Sequence, residues 1–152
     1  MPPDEPRSAG GPGGVFRRIL VGYDGSAEAD RALRLATALA ADLDGRVHAL
    51  MVVRPPAHAE TPEEQEQAAR VEQANLAQNL ANVTNQSQHG WEVVAEVVIA
   101  DDPAQAIAVH AQEHGFDLVV MGTHGQEQLT HRGIGRSLDE LLRHHPCPVL
   151  IV

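Results

Sequence analysis

Three glycines in the C-terminal third have the spacing of an anion site: Gly122-Thr123-His124-Gly125, nine further residues, then Gly135-Arg136-Ser137. An apolar run, Asp117-Leu118-Val119-Val120-Met121, precedes them, and Leu138 to His145 reads as a helix behind them. A glycine loop between a buried strand and a helix start gathers backbone N–H groups and the positive end of the helix dipole. That arrangement suits a di- or triphosphate. Gly122 and Gly125 would let the backbone approach a ligand without an intervening Cβ, and Gly135 would turn the chain into the helix. Arg136 and Ser137 would then be first-turn donors. The bland alternative is that the glycines only build a long turn, and spacing alone fits both.

Composition narrows what else the phosphate could meet. All eleven basic residues are Arg, so a Walker-type lysine and Schiff-base or lysine general-base chemistry are excluded. Phosphate charge must be met by N–H groups, hydroxyls, Arg or a metal. A formal charge of -10 argues against nucleic-acid or anionic-membrane binding, which needs clustered positive charge. No apolar stretch has the length of a membrane span and no signal-peptide core opens the chain, so a cytoplasmic location is expected. The lone Cys147 lies between two prolines and is expected to be a buried, inert thiol.

The elements that would position the loop follow from periodicity. Residues Met1 to Gly14 are rich in Pro and Gly and read as a disordered tail, which leaves 15–152 as one domain. Val15 to Gly22 is a first strand, and Asp24-Gly25-Ser26 a turn in which Ser26 caps a helix. Ala29, Leu33, Ala36, Leu39 and Ala40 carry that helix to about Asp42. Val47 to Val53 is a second strand, and Thr61-Pro62-Glu63-Glu64 a capping box opening a polar helix to about Gln88. Val93 to Ile99 is a third strand, and Asp102-Pro103 starts a helix to His114. Leu118 to Met121 is a fourth strand and Val149 to Val152 a fifth. This alternation predicts an α/β fold: a five-stranded, mainly parallel, doubly wound sheet with helices on both faces. In such sheets ligands sit beyond the strand C-termini, where Asp24, Val53 and Gly122 fall.

Other chemistry is less well supported. Asp24 fits a turn cap, a metal ligand or a phosphoacceptor, but a receiver-type phosphoacceptor wants a lysine that this chain lacks. His110 and His114 share a helix face without an evident third metal ligand, and His144-His145 suit a helix C-terminus. His124 and His131 are the histidines placed to neighbour a phosphate. The acidic stretch from Glu63 to Glu72 reads as a solvated face. Nothing combines a nucleophile with a base and an oxyanion site, so no catalytic residue is assigned.

Three segments together resemble the universal stress protein family: Ile19-Leu20-Val21-Gly22-Tyr23-Asp24-Gly25-Ser26, Asp117 to Gly125, and Leu142 to Val152. The resemblance spans Arg18 to Val152 and implies the same fold, with dimers formed through the last strand. Its nucleotide-binding branch places ATP phosphates on a Gly-x-x-Gly, nine residues, Gly-Ser/Thr loop. Carried over, Gly122, Gly125 and Gly135 match those glycines, Asp24 an acidic residue beside the nucleoside, and Val52 a backbone contact to adenine. Gly22, Met121 and His124 match other pocket positions. Two positions depart from the pattern: Arg136 replaces the hydroxyl residue, and Asp101-Asp102-Pro103 replaces Gly-Asp-Pro. Arg136 can pair with phosphate oxygens, fill the pocket or turn outward. Asp101 would repel a triphosphate unless Mg²⁺ or an Arg intervenes. The resemblance therefore implies a homodimeric stress-response regulator binding ATP or a related adenine nucleotide, acting on an unknown protein partner. The alternatives are a nucleotide-free interaction module with a closed pocket, and a weak ATPase.

Overall fold

The computed structural model describes residues 16–55, 57, 59–85, 93–123, 136–145 and 147–152. The expected tail, Val15, and the loop residues His124, Gly125, His131 and Gly135 lie outside them, as does the expected end of the second helix at Gln88. Nine elements follow in strict alternation: β1 (Arg18–Gly22), α1 (Ala27–Leu43), β2 (Arg46–Val53), α2 (Pro62–Asn85), β3 (Val93–Ile99), α3 (Pro103–Glu113), β4 (Leu118–Met121), α4 (Arg136–Arg143) and β5 (Val149–Ile151).

The helix starts are set by local chemistry. Ser26 accepts from the Ala29 N–H at 3.1 Å, and Asp102 from Gln105 at 3.2 Å with Pro103 as the first helical residue. At α2 the capping box closes in both directions: Glu64 N–H donates to Thr61 Oγ1 (3.3 Å) and Thr61 N–H to Glu64 Oε2 (3.2 Å). Two elements, β1 and α4, differ from the sequence expectation by more than one residue at a boundary. Strand β1 begins at Arg18 rather than Val15, because the Arg17 N–H goes to Asp117 Oδ2 at 2.9 Å instead of to a strand. Helix α4 runs Arg136–Arg143 rather than Leu138 to His145, and the His144 N–H closes it with a tight bond to Leu141 O at 3.1 Å.

All four strand pairings are parallel, in the order β3-β2-β1-β4-β5. A parallel sheet must be covered on both faces, and two cores do this. Ile19, Val21, Val47, Ala49, Leu118 and Val120 pack beneath α1 and α2 with Leu33, Ala36, Leu76 and Leu80. Leu20, Leu50 and Val119 face the other way, against Ile107, Ala111, Phe116 and Leu141 of the α3–α4 layer. Successive β1 residues thus serve opposite cores, as the period of two in a strand requires. Among the described residues no helix is long and apolar enough to cross a membrane.

One carboxylate joins the starts of β1 and β4. Asp117 accepts from the Arg17 and Arg18 N–H groups, and its own N–H donates to Arg18 O at 3.0 Å. Asp117→Ala removes two charge-assisted acceptors, and a loss of about 1–2 kcal/mol is expected in urea denaturation.

Candidate functional site

Strands β1 and β2 hand their connections to helices on one face, β3 and β4 to helices on the other. The direction of winding reverses between the adjacent strands β1 and β4, so their C-terminal ends diverge and leave a crevice. Five of the sequence-derived residues reach this edge. Gly22 ends β1 and Asp24 follows it, Val52 is the penultimate residue of β2, and Met121 ends β4 with Gly122 next. Arg136 and Ser137 are the first two residues of α4. His124, Gly125 and Gly135 lie outside the described residues.

The loop leaving β1 is held by a chain of bonds. Gly25 takes φ 81°, a left-handed conformation that glycine adopts without a Cβ clash. Asp24 Oδ1 accepts from the Ser26 N–H at 2.9 Å, and the Ser26 carbonyl from Asp30 at 3.0 Å. The turn role considered for Asp24 is therefore occupied by one carboxylate oxygen. Beneath the loop, Tyr23 is buried, its N–H donates to Leu50 O at 2.9 Å and its hydroxyl to Asp30 Oδ1 at 2.5 Å. Burial first, then the Asp30 hydrogen bond and charge, hold the Tyr23 phenol well above its ordinary pKa, so it remains a neutral donor. Tyr23 was not singled out from sequence. It is the only tyrosine in the chain, but its bond to Asp30 joins a strand end to a helix turn and follows no readable period.

The two glycines of the crevice owe their identity to neighbours within the protein. A Cβ on Gly122 would stand 2.8 Å from the Cβ of Glu28 in the first turn of α1 and 3.1 Å from its carbonyl carbon. A Cβ on Gly22 would collide with the thioether of Met121 and come within 3.2 Å of Ile107 Cδ1. Gly122 thus lets β4 close onto α1, a reason for glycine that is independent of any ligand. Beyond it, the Thr123 N–H donates to Val152 O at 3.1 Å and the Val152 N–H to Met121 O at 2.9 Å, tying the loop entrance to the end of β5. Asp101 is exposed at the same edge, after β3, where the Ala100 N–H donates to Val53 O at 3.0 Å.

The chain's match to the universal stress protein family model extends over residues 16–152, which include every element above. The chain belongs to the universal stress protein family. A universal stress protein of Thermus aquaticus is 32% identical over 141 residues, covering 91% of this chain and 99% of the relative. The crystal structure of a family member from Burkholderia pseudomallei is 31% identical with a TM-score of 0.67, covering 93% of this chain and 98% of that one. Two more distant universal stress protein structures share the fold. One, in complex with cAMP, has a TM-score of 0.68 at 21% identity and covers 91% of this chain and 97% of its own. The other, from Archaeoglobus fulgidus in complex with dAMP, has a TM-score of 0.64 at 19% identity and covers 90% and 98%.

The two glycine contacts make an asymmetric forecast for this universal stress protein. Gly122→Ala meets helix backbone and the root of a side chain, and should cost about 2 kcal/mol or more in thermal or urea unfolding. Gly22→Ala meets chiefly the far end of a flexible methionine, which can rotate away, and should cost about half as much.

Proposed function

We propose that this universal stress protein binds an adenine nucleotide at the C-terminal edge of β1, β2 and β4. In this reading the nucleoside lies beside Asp24 and the Val52 backbone, with Gly22 and Met121 as the floor. The phosphates run onto the Gly122–Ser137 loop with His124, Gly125, Gly135 and Arg136. The observation that carries it is the convergence of Gly22, Asp24, Val52, Met121 and Gly122 on three neighbouring strand ends at the reversal of winding. The relatives holding cAMP and dAMP support an adenine ligand, and the α4 start, at Arg136-Ser137, offers N–H donors. ATP is the form with most use for a long glycine loop. With no lysine in the chain, Arg136 or Mg²⁺ would carry the charge opposite its phosphates.

A binding regulator fits better than an enzyme, because the described residues of the crevice bring an acidic turn and glycines together rather than a nucleophile–base pair. Nucleotide would act by ordering the loop and changing the surface offered to a partner protein. The second copy of the chain would dock along β5. That strand is a sheet edge, with β4 as its neighbour within the chain, and Val149 to Val152 are only half-buried. A closed, nucleotide-free interaction module is the competing reading, favoured by the filling of the Gly22 and Gly122 positions from within the protein.

Denaturing the purified protein and analysing the released small molecules separates these readings, together with titration of ATP, AMP and cAMP. Adenine nucleotide near one per chain, or saturable binding, is expected; an empty protein that ignores millimolar ATP with Mg²⁺ is the opposite result. Asp24→Asn keeps an oxygen to accept from Ser26 while removing the charge, so it should melt as wild type yet bind nucleotide about tenfold more weakly. For the dimer, the bonds of Pro148 O and the Val152 N–H to β4 show which residues face inward, and by alternation the Ile151 N–H points away. Ile151→Pro removes that outward donor on an edge strand where proline is tolerated. It should shift the protein from dimer to monomer in sedimentation with its circular dichroism retained.

A further inference from the structure

We propose that His48, His110 and His114, gathered under the C-terminal end of α3 at the sheet edge remote from the candidate site, form an acid-triggered latch that frees this helix end from the sheet. The inference stands apart from the nucleotide reading, since it involves none of those residues.

The cluster is built from four elements around one ring. Phe116, buried just after α3, receives the Arg18 guanidinium at 5.2 Å from its centroid. The His48 ring of β2 meets it edge-on at 5.0 Å, and the His110 ring of α3 stacks against it at 5.7 Å. His114 stacks on His110 in turn, with centroids 4.2 Å apart, and its Nδ1 lies 3.0 Å from His110 O. His110 Nε2 meets Glu96 Oε2 of β3 at 2.9 Å. His48 Nδ1 and Arg18 Nε are buried with no hydrogen-bond partner among the described residues.

The charges facing these rings decide what acid does. On the positive side stand Arg18 of β1, Arg46 of β2 and the neighbouring imidazoles; on the negative side stand Glu96 of β3 and Glu113 of α3. The Asp117 carboxylate, next to Phe116, is engaged by the Arg17 and Arg18 N–H groups. A proton on His48 therefore places a second cation near Arg18, on a buried nitrogen with no acceptor. Glu96 can compensate only one imidazole at close range, and it already meets His110. A proton on His110 is opposed by the His114 ring stacked on it at 4.2 Å, so charge on His48 and His110 has solvent as its best outlet, and water is reached by lifting the end of α3.

The direction of the pH effect is fixed. Burial, before any other cause, holds both His48 and His110 below the ordinary imidazole value; Arg18 adds to this at His48 and His114 at His110. The open form takes up protons more readily than the closed form. The latch is thus closed above about pH 6.5, and its hold is lost as pH falls from there through the closed-state values.

Amide hydrogen exchange on the full-length wild-type protein, at about pH 7.5 and about pH 5.5 with intrinsic rates corrected, tests this. The expected result is a loss of protection of about tenfold or more over Val109–Glu113, with the middle of α1 unchanged. Equal loss in both helices, meaning general acid unfolding, or unchanged α3 protection would overturn the proposal. His48→Gln should abolish most of the differential loss, and a full loss in that variant also overturns it. Imidazole titration by NMR in the wild-type chain decides without any variant. Midpoints for His48 and His110 below the ordinary value support the latch, and midpoints at or above it reject it.

Discussion

The middle of strand β1 meets no water on either face. Ile19, Leu20 and Val21 are each fully buried, their side chains divided between two cores, and strands pair with both edges of β1. Each such side chain contributes about 1.5–3 kcal/mol of burial, provided that helices cover both faces. Two crossovers must then go to one side and two to the other. A single reversal of winding follows, and it falls between β1 and β4. The crevice is therefore a by-product of covering a central parallel strand, and the residues that end β1 and β4 inherit it.

That inheritance separates what was legible in the sequence from what was not. Strands β2 to β4 could be read because Val, Leu, Ile, Ala and Met dominate them, with His48 and Glu96 as isolated polar interruptions, and the starts of α1, α2 and α3 because Ser26, Thr61 and Asp102 cap them locally. The start of β1 could not, since the Asp117 carboxylate that competes for its first N–H groups lies about a hundred residues away. The candidate site divides in the same way. Glycine spacing and the position of Asp24 were visible, whereas Tyr23 with Asp30 and Gly122 with Glu28 join elements whose approach depends on the completed sheet.

The histidines show the limit in another form. Helical period was enough to put His110 and His114 on one face, and they stack as that period requires. Their encounter with Glu96 depends on how α3 lies across the sheet. The presence of His48 depends on the β2–β3 register, which sets His48 opposite Val94, two residues before Glu96. Local pattern supplies faces; only the packed sheet supplies neighbours.

The contact between Gly122 and Glu28 also bears on how this crevice can vary over evolution. The atoms of Glu28 nearest the missing side chain are its Cβ, its carbonyl carbon and its carbonyl oxygen. Of these, the carbon and oxygen are common to all amino acids, and the Cβ to all but glycine. Position 28 can therefore change its charge and length, and with them the chemistry at the mouth of α1, while the closure of β4 onto the helix persists. Position 122 has no such latitude. The pairing is a one-sided dependence, in which the backbone of one element sets the alphabet allowed at the other.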